Sequence, residues 1–151
     1  MDKHFELTNK FIINAFGVKL FQIKCTRRIK YAEVGDLGGY IEKEDNLSGD
    51  AWVSGDAQVS GDAWVFGNAR VFGNARVSNN NEHCGFDCFG SANRHTHAYK
   101  TQSGKVEITC GCFRGSIEEF EERVEKTHQG NEFERQYMAI VEVIKIKFGL
   151  K

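Results

Sequence analysis

The chain has 151 residues, 40% of them hydrophobic and 27% charged, and a formal net charge of −1. That length fits one domain or two very small units, and the composition is ordinary for a globular protein. A near-neutral charge removes the electrostatic case for a nucleic-acid polymer as partner, and no run approaches the ~20 apolar residues of a membrane span.

Charge is uneven along the chain. Residues 1–35 carry seven Lys/Arg against three Asp/Glu, and residues 36–77 carry three against seven. A basic segment beside an acidic one predicts internal pairing. The start, MDKHFELTNK, has no signal-peptide core, and the five cysteines are an odd number. Reduced thiols in a cytoplasm are therefore expected, with no membrane partner and no cofactor.

Residues 1–34 read as an N-terminal β-hairpin segment. Phe11-Ile-Ile and Val18-Lys-Leu-Phe-Gln-Ile are short apolar runs, with Asn14 to Gly17 between them as the turn. GDLGGYIEKEDNLS (35–48) reads as an entry cap with Ile41 and Leu47 turned inward.

From Ser48 the chain repeats every six residues: SGDAWV, SGDAQV, SGDAWV, FGNARV, FGNARV, ending at Val77. Valine recurs at 53, 59, 65, 71 and 77, with alanine two before each. A β-branched residue at every sixth position faces a common interior, and Gly followed by Asp or Asn supplies turn conformations. A period of six does not keep one face of an α-helix apolar. The pattern resembles the left-handed β-helix of hexapeptide-repeat proteins, in which three hexads make one coil. On that resemblance Val53 stacks with Val71, Val59 with Val77, and Leu47 with Val65. The outward variable positions are then Trp52, Gln58, Trp64, Arg70 and Arg76. Two tryptophans there predict a subunit interface made by Trp52, Trp64, Arg70 and Arg76, with packing beneath the N- or C-terminal segments as the alternative, and the resemblance implies a homotrimer.

The repeat region spans 35–83, and residues 84–151 form a C-terminal ββαα unit. His95–Thr101 and Lys105–Cys110 alternate about Gln102-Ser-Gly as a hairpin. Ser116 caps a helix with Glu119 three residues later; Ile117, Phe120 and Val124 form its apolar stripe, and it ends near Gln129-Gly130. A second helix over 132–148 places Phe133, Tyr137, Ile140, Ile144 and Phe148 on one face. The predicted fold is thus mainly β with α: a short left-handed hexapeptide-repeat β-helix, an N-terminal β-hairpin and the ββαα unit.

Four constellations offer chemistry. Cys84, Cys88, His95 and His97 are a loose zinc set, although no second Cys-x2-Cys knuckle completes it. A cysteine nucleophile has His95, His97 or His128 as a base, without an orienting third group. Acyl transfer by a coil histidine finds none between His4 and His83. The fourth is an anion site where Cys110-Gly-Cys-Phe-Arg-Gly-Ser116 runs into a helix N-terminus. There Arg94 and Arg114 are expected to converge and Gly115 to allow close approach, with Ser116 capping the helix. Ser91, Asn93, His95, Thr96, His97 and Tyr99 add polar groups, and Phe113 offers an aromatic face. The ligand that suits this set is a small phosphorylated molecule of nucleotide type. A plain capped helix with solvated arginines is the alternative.

The segments GDLGGYIEKEDNLS (35–48), the GDA/GNA hexads (49–77), CGCFRGSIEEFEERVEKTH (110–128) and the opening FELT (5–8) together resemble small hexapeptide-repeat proteins of phage and prophage genomes. This chain departs from them over Cys84–Asn93. The resemblance implies a non-catalytic counter-defence protein in the cytoplasm of an infected bacterium. One form sequesters a phosphorylated immune signal within an oligomer. The other inhibits or binds a host defence protein, with Trp52, Trp64 and the acidic face Glu118, Glu119, Glu121, Glu122 and Glu125 as its surface.

Overall fold

A computed structural model describes residues 3–150. They are strands and short turns followed by two helices, in two compact units, Met1–Asn80 and Asn81–Lys151. No helix among the described residues is long and apolar enough to cross a membrane.

The first unit opens with the expected hairpin. Strand β1 (Phe5–Ile13) runs antiparallel to β2 (Lys19–Cys25), from Phe5 opposite Cys25 to Ile13 opposite Lys19. Asn14 makes the turn because its Oδ1 accepts from the amides of Phe16 and Val18, at 2.9 and 3.0 Å. Strand β3 (Leu37–Ile41) pairs antiparallel with β2 and then begins a parallel stack.

That stack carries the repeat. Tyr40 and Ile41 pair with Gln58 and Val59 of β5 (Gln58–Val59), which pair with Arg76 and Val77 of β7 (Arg76–Val77). Trp52 and Val53, strand β4 (Trp52–Val53), pair with Arg70 and Val71, strand β6 (Arg70–Val71). Leu47 bridges Val65. Every one of these pairs is offset by 18 residues, and the three stacking pairs expected from the repeat are among them. The alanines and valines of all five hexads are buried, none more than 2% exposed. Gly49, Gly55, Gly61, Gly67 and Gly73 all take positive φ between 59° and 66°. At Gly61 a Cβ would also run into the Ser78 carbonyl, so this corner excludes a side chain on two counts. Buried Asn46 ties down the third side: its Nδ2 donates to the carbonyls of Gly61 and Ala63, at 3.1 and 2.8 Å.

The sheets so formed are open: five strands in the order β1-β2-β3-β5-β7, and the pair β4-β6. Part of the expected charge pairing is present, with Lys3 3.2 Å from Glu44 and Arg27 3.1 Å from Asp50. Both pairs are exposed and contribute little stability.

One expectation fails here. Trp52 is 3% exposed and does not present an interface surface. Its ring lies 6.3 Å from the buried His4 imidazole and is within 2.8 Å of where a Cβ on Gly38 would sit. The preceding segment covers this rung, so an outward repeat position becomes a core position.

The second unit is richer in strands than expected. It forms a four-stranded antiparallel sheet in the order β11-β10-β9-β8, from β8 (His83–Phe89), β9 (Arg94–Lys100), β10 (Val106–Cys110) and β11 (Phe113–Ser116). The ββαα expectation missed β8 and β11. Strand β8 alternates, but its one face is His83, Gly85 and Asp87, which gives no apolar signal. Strand β11 is four residues long and contains glycine.

Helix α1 (Ile117–His128) has the expected capping box, Ser116 with Glu119, and ends at Gln129 in the left-handed conformation. Helix α2 (Glu132–Lys147) is capped by Asn131, which accepts from the amides of Phe133 and Glu134. Ile117, Phe120, Val124, Tyr137, Ile140, Val141 and Ile144 pack with Ala98, Val106, Ile108 and Cys110 into one core. This core fixes which sheet face the helices cover: the face of residues 96, 98, 108 and 110.

Candidate ligand pocket

Strand alternation decides where each expected site residue points. Residues 94, 96 and 98 of β9 share the helix-covered face; 95, 97 and 99 share the other. Arg114 pairs with Thr109, which pairs with His97, so Arg114 belongs to the face of His97. Arg94 and Arg114 therefore lie on opposite faces and do not converge as expected. Arg114 Nε instead donates to Glu107 Oε1 at 3.0 Å.

The helix N-terminus is filled as well. Glu119 Oε1 accepts from the Ser116 amide at 2.9 Å, and Ser116 Oγ accepts from the Glu119 amide at 3.1 Å. These bonds hold the Glu119 carboxyl below its ordinary range. A Cβ on Gly115 would meet Glu119 Oε1 at 3.1 Å, so a carboxylate already stands where a phosphate was expected.

The remaining expected ligands scatter. Ser91 and Asn93 are exposed in the β8–β9 turn, where Asn93 takes φ 51°. Thr96 is buried and donates to Cys110 Sγ at 3.2 Å. Tyr99 is fully buried and donates to Glu107 Oε2 at 2.6 Å. His95 and His97 lie in a file of rings with His83, at centroid spacings of 5.1 and 5.2 Å and with nitrogen–nitrogen distances of 2.9 and 3.0 Å.

Arg94 and Phe113 do line a pocket, with partners the sequence reading passed over. It has a volume of about 130 Å³ and lies between the β10–β11 turn and the two helices, lined by Arg94, Phe113, Arg123, Thr127, His128 and Tyr137 among others. No carboxylate lines it, and eight of its ten lining residues fall within the stretch 110–128. Gly111, at φ 58°, makes room for Arg94: a Cβ there would lie 2.6 Å from Arg94 Nη1. The Arg123 guanidinium sits over the Phe113 ring, 5.5 Å from its centroid. His128 stacks on Tyr137 at 5.7 Å. The Tyr137 hydroxyl donates to the Phe89 carbonyl at 3.4 Å, and burial raises its pKa, so it stays protonated as a neutral wall. Arg123 and Thr127 follow Phe120 at helical spacing, the signal that would have placed them beside it.

A second depression of about 430 Å³ shares Cys112, Phe113 and Arg123 with it and adds Arg114, Lys126, Glu119 and Glu122. A separate cleft in the first unit, about 540 Å³, is lined by Lys3, Arg27, Glu44, Asp45, Asp50 and Trp64 among others. Its two cations are the ones paired with Glu44 and Asp50, and three carboxylates repel an anion. Charge therefore favours the smaller pocket for a phosphoryl group.

The zinc set does not assemble. Cys84 packs against the helix-side core, His95 and His97 face the other way, and Cys88 is exposed at φ 69°. Among the described residues no three His, Cys, Asp or Glu side chains are grouped to hold a metal ion. Burial pushes the Cys84 thiol up to about 11, which also disfavours it as a nucleophile.

Of the expected interface residues, Trp64 remains outward with its neighbour Phe66, each 49% exposed, their ring centroids 4.4 Å apart and their planes tilted by 31°. Arg70 lies over the Tyr31 ring at 4.9 Å, and Arg76 donates to the Asp56 carbonyl at 2.9 Å. Both arginines thus engage groups of their own unit.

No protein-family model matches this chain, and no curated protein or solved structure matches it either.

Proposed function

We propose that this chain is a non-catalytic binding protein that sequesters a small phosphorylated ligand of nucleotide type. It does so as an oligomer built on a short left-handed hexapeptide-repeat β-helix. The 18-residue ladders and the recurring positive-φ glycines support that form for the repeat. The observation that carries the binding reading is the pocket of Arg94, Arg123 and His128, free of lining carboxylates. Its volume suits a phosphoryl group, and the depression beside Phe113 gives a base or sugar an aromatic shelf. The resemblance to phage-encoded repeat proteins makes counter-defence in an infected bacterium the role that fits.

Inorganic phosphate and ADP serve as probes, with binding followed by calorimetry. Arg94→Glu and Arg123→Glu are each expected to weaken binding by at least about tenfold, equal to about 1.4 kcal/mol. Arg114→Glu, which does not line the inner pocket, is expected to leave the affinity for inorganic phosphate unchanged. Wild-type affinity in both pocket variants refutes the placement.

Trp64 and Phe66 favour a second reading, a protein-binding or self-assembling surface. Trp64→Asp is expected to lower the sedimenting mass from oligomer to monomer. A wild-type protein that already sediments as a monomer removes the assembly.

A further inference from the structure

We propose that the cleft of the first unit binds an arginine side chain of a protein partner, its guanidinium held between the Trp64 ring and the carboxylates Glu44, Asp45 and Asp50. This gives a partner chemistry to the Trp64–Phe66 surface and rests on the protein-binding reading of that surface. It is independent of the phosphoryl pocket.

The cleft has room for a long side chain. Its volume of about 540 Å³ falls in the range of small-ligand sites, roughly 300–1,000 Å³. Gly49 and Gly67 stack in its wall, where a Cβ on Gly49 would lie 2.9 Å from the Gly67 amide nitrogen. This part of the wall is therefore bare backbone.

Trp64 is held in one pose. Its amide donates to Asn80 Oδ1 at 3.0 Å, and its indole Nε1 donates to Ser48 Oγ at 2.6 Å. The indole hydrogen is thus used within the unit, and what the half-exposed ring offers a guest is its π-face. Phe66 lies beside Trp64 but outside the cleft wall, so apolar surface continues past the cleft.

Charge selects a cation. Among the described residues, three carboxylates line the cleft against two cations, Lys3 and Arg27. His4 adds no charge at neutral pH, because burial lowers its pKa. The Lys3–Glu44 and Arg27–Asp50 pairs are about half exposed, and pairs of that kind exchange partners at little cost.

A guanidinium suits these walls better than an ammonium. It is planar, lies flat on an indole and donates to a carboxylate through two parallel N–H groups. This chain already sets two of its own guanidinium groups over rings, Arg70 over Tyr31 and Arg123 over Phe113. An arginine within a protein segment also lacks the α-carboxylate that the acidic wall would repel in the free amino acid. The residues flanking it would cover Phe66.

The probe is the tripeptide Gly-Arg-Gly, acetylated and amidated, titrated into the full chain and followed by indole nitrogen–proton signals. Of the two tryptophans, Trp52 is buried and serves as the reference, and Trp64 is the reporter. A saturable shift of the Trp64 signal is expected, with binding at least about tenfold weaker for Gly-Gln-Gly and for free arginine. Asp45→Lys, at an exposed position, is expected to weaken Gly-Arg-Gly by at least about tenfold. An unmoved Trp64 signal overturns the proposal, as does equal binding of Gly-Gln-Gly or unchanged affinity in Asp45→Lys. Free arginine bound as tightly as the tripeptide overturns the protein source. Should Asp45→Lys misfold, the comparison of arginine and glutamine tripeptides on the wild type decides. Sedimentation separates this failure from that of the surface. An oligomer dissolved by Trp64→Asp but blind to the tripeptide keeps the surface and loses the arginine site, whereas a monomer blind to it counts against both.

Discussion

Between pH 6.5 and pH 4 the protein is expected to lose about 3 kcal/mol of folding stability to His83 alone, since burial lowers that imidazole from its ordinary 6.5 to about 4. The sign follows from proton counts. In this window the unfolded chain protonates the histidine and the folded chain does not, so the unfolded state binds more protons and gains as pH falls. The stabilisation is complete above pH 6.5, erodes as pH falls, and this loss levels off below about pH 4. His97, held well below its ordinary value by burial and by its two neighbours, adds a loss of the same sign. His4 is also lowered by burial and acts in the same direction. Denaturant midpoints measured across this range should fall steeply, and His83→Gln should flatten the slope. A stability that stays level from pH 6.5 to pH 4 would falsify the burial assigned to these rings.

Gly38→Ala is expected to cost about 3 kcal/mol, near the upper end of what overpacking a core imposes. The added methyl would lie 2.5 Å from the Val53 carbonyl, 2.7 Å from Ile23 Cγ1 and 2.8 Å from Trp52 Cζ2. None of these can move freely. Val53 sits in a stacked rung, and Ile23 and Trp52 are buried. Gly104→Ala is the matched control, because nothing lies within 4 Å of its new methyl and only its φ of 87° is strained. That strain costs about 1 kcal/mol, so thermal or denaturant unfolding should separate the two variants clearly. Equal losses would mean that the packing of the hairpin segment over the repeat is looser than these distances require.

The repeat was legible because each rung makes the same local demands. A left-handed glycine, a small alanine and an inward valine recur with the chain's own period, and register follows by counting. Helix α1 was legible for a similar reason: Ser116 and Glu119 mark its start and Gln129-Gly130 its end within a few residues. Trp52 was misplaced because its burial depends on Gly38 and His4, far away in sequence, and the repeat pattern carries no record of them. Arg94 and Arg114 were wrongly joined because their faces depend on strand pairing, and β8 and β11 were not recognised as strands. Arg123 and Thr127 were overlooked because they lie on a helix flank otherwise marked as apolar. The histidine file needed the β8–β9 register, including its shift between Phe86 and Phe89, before three distant rings could be seen in line.

The constant offset of the ladders has a bearing on how such a chain can change length. Duplicating or deleting 18 residues adds or removes one rung on every side and leaves each surviving valine above a valine. A change of six residues keeps the motif intact in print but moves every later hexad to the next side of the stack. Asn46, which serves one side only, would then meet the wrong neighbours. Growth by whole turns is therefore the cheap route between long and short forms, and single-hexad changes should be accepted only at the ends of the array.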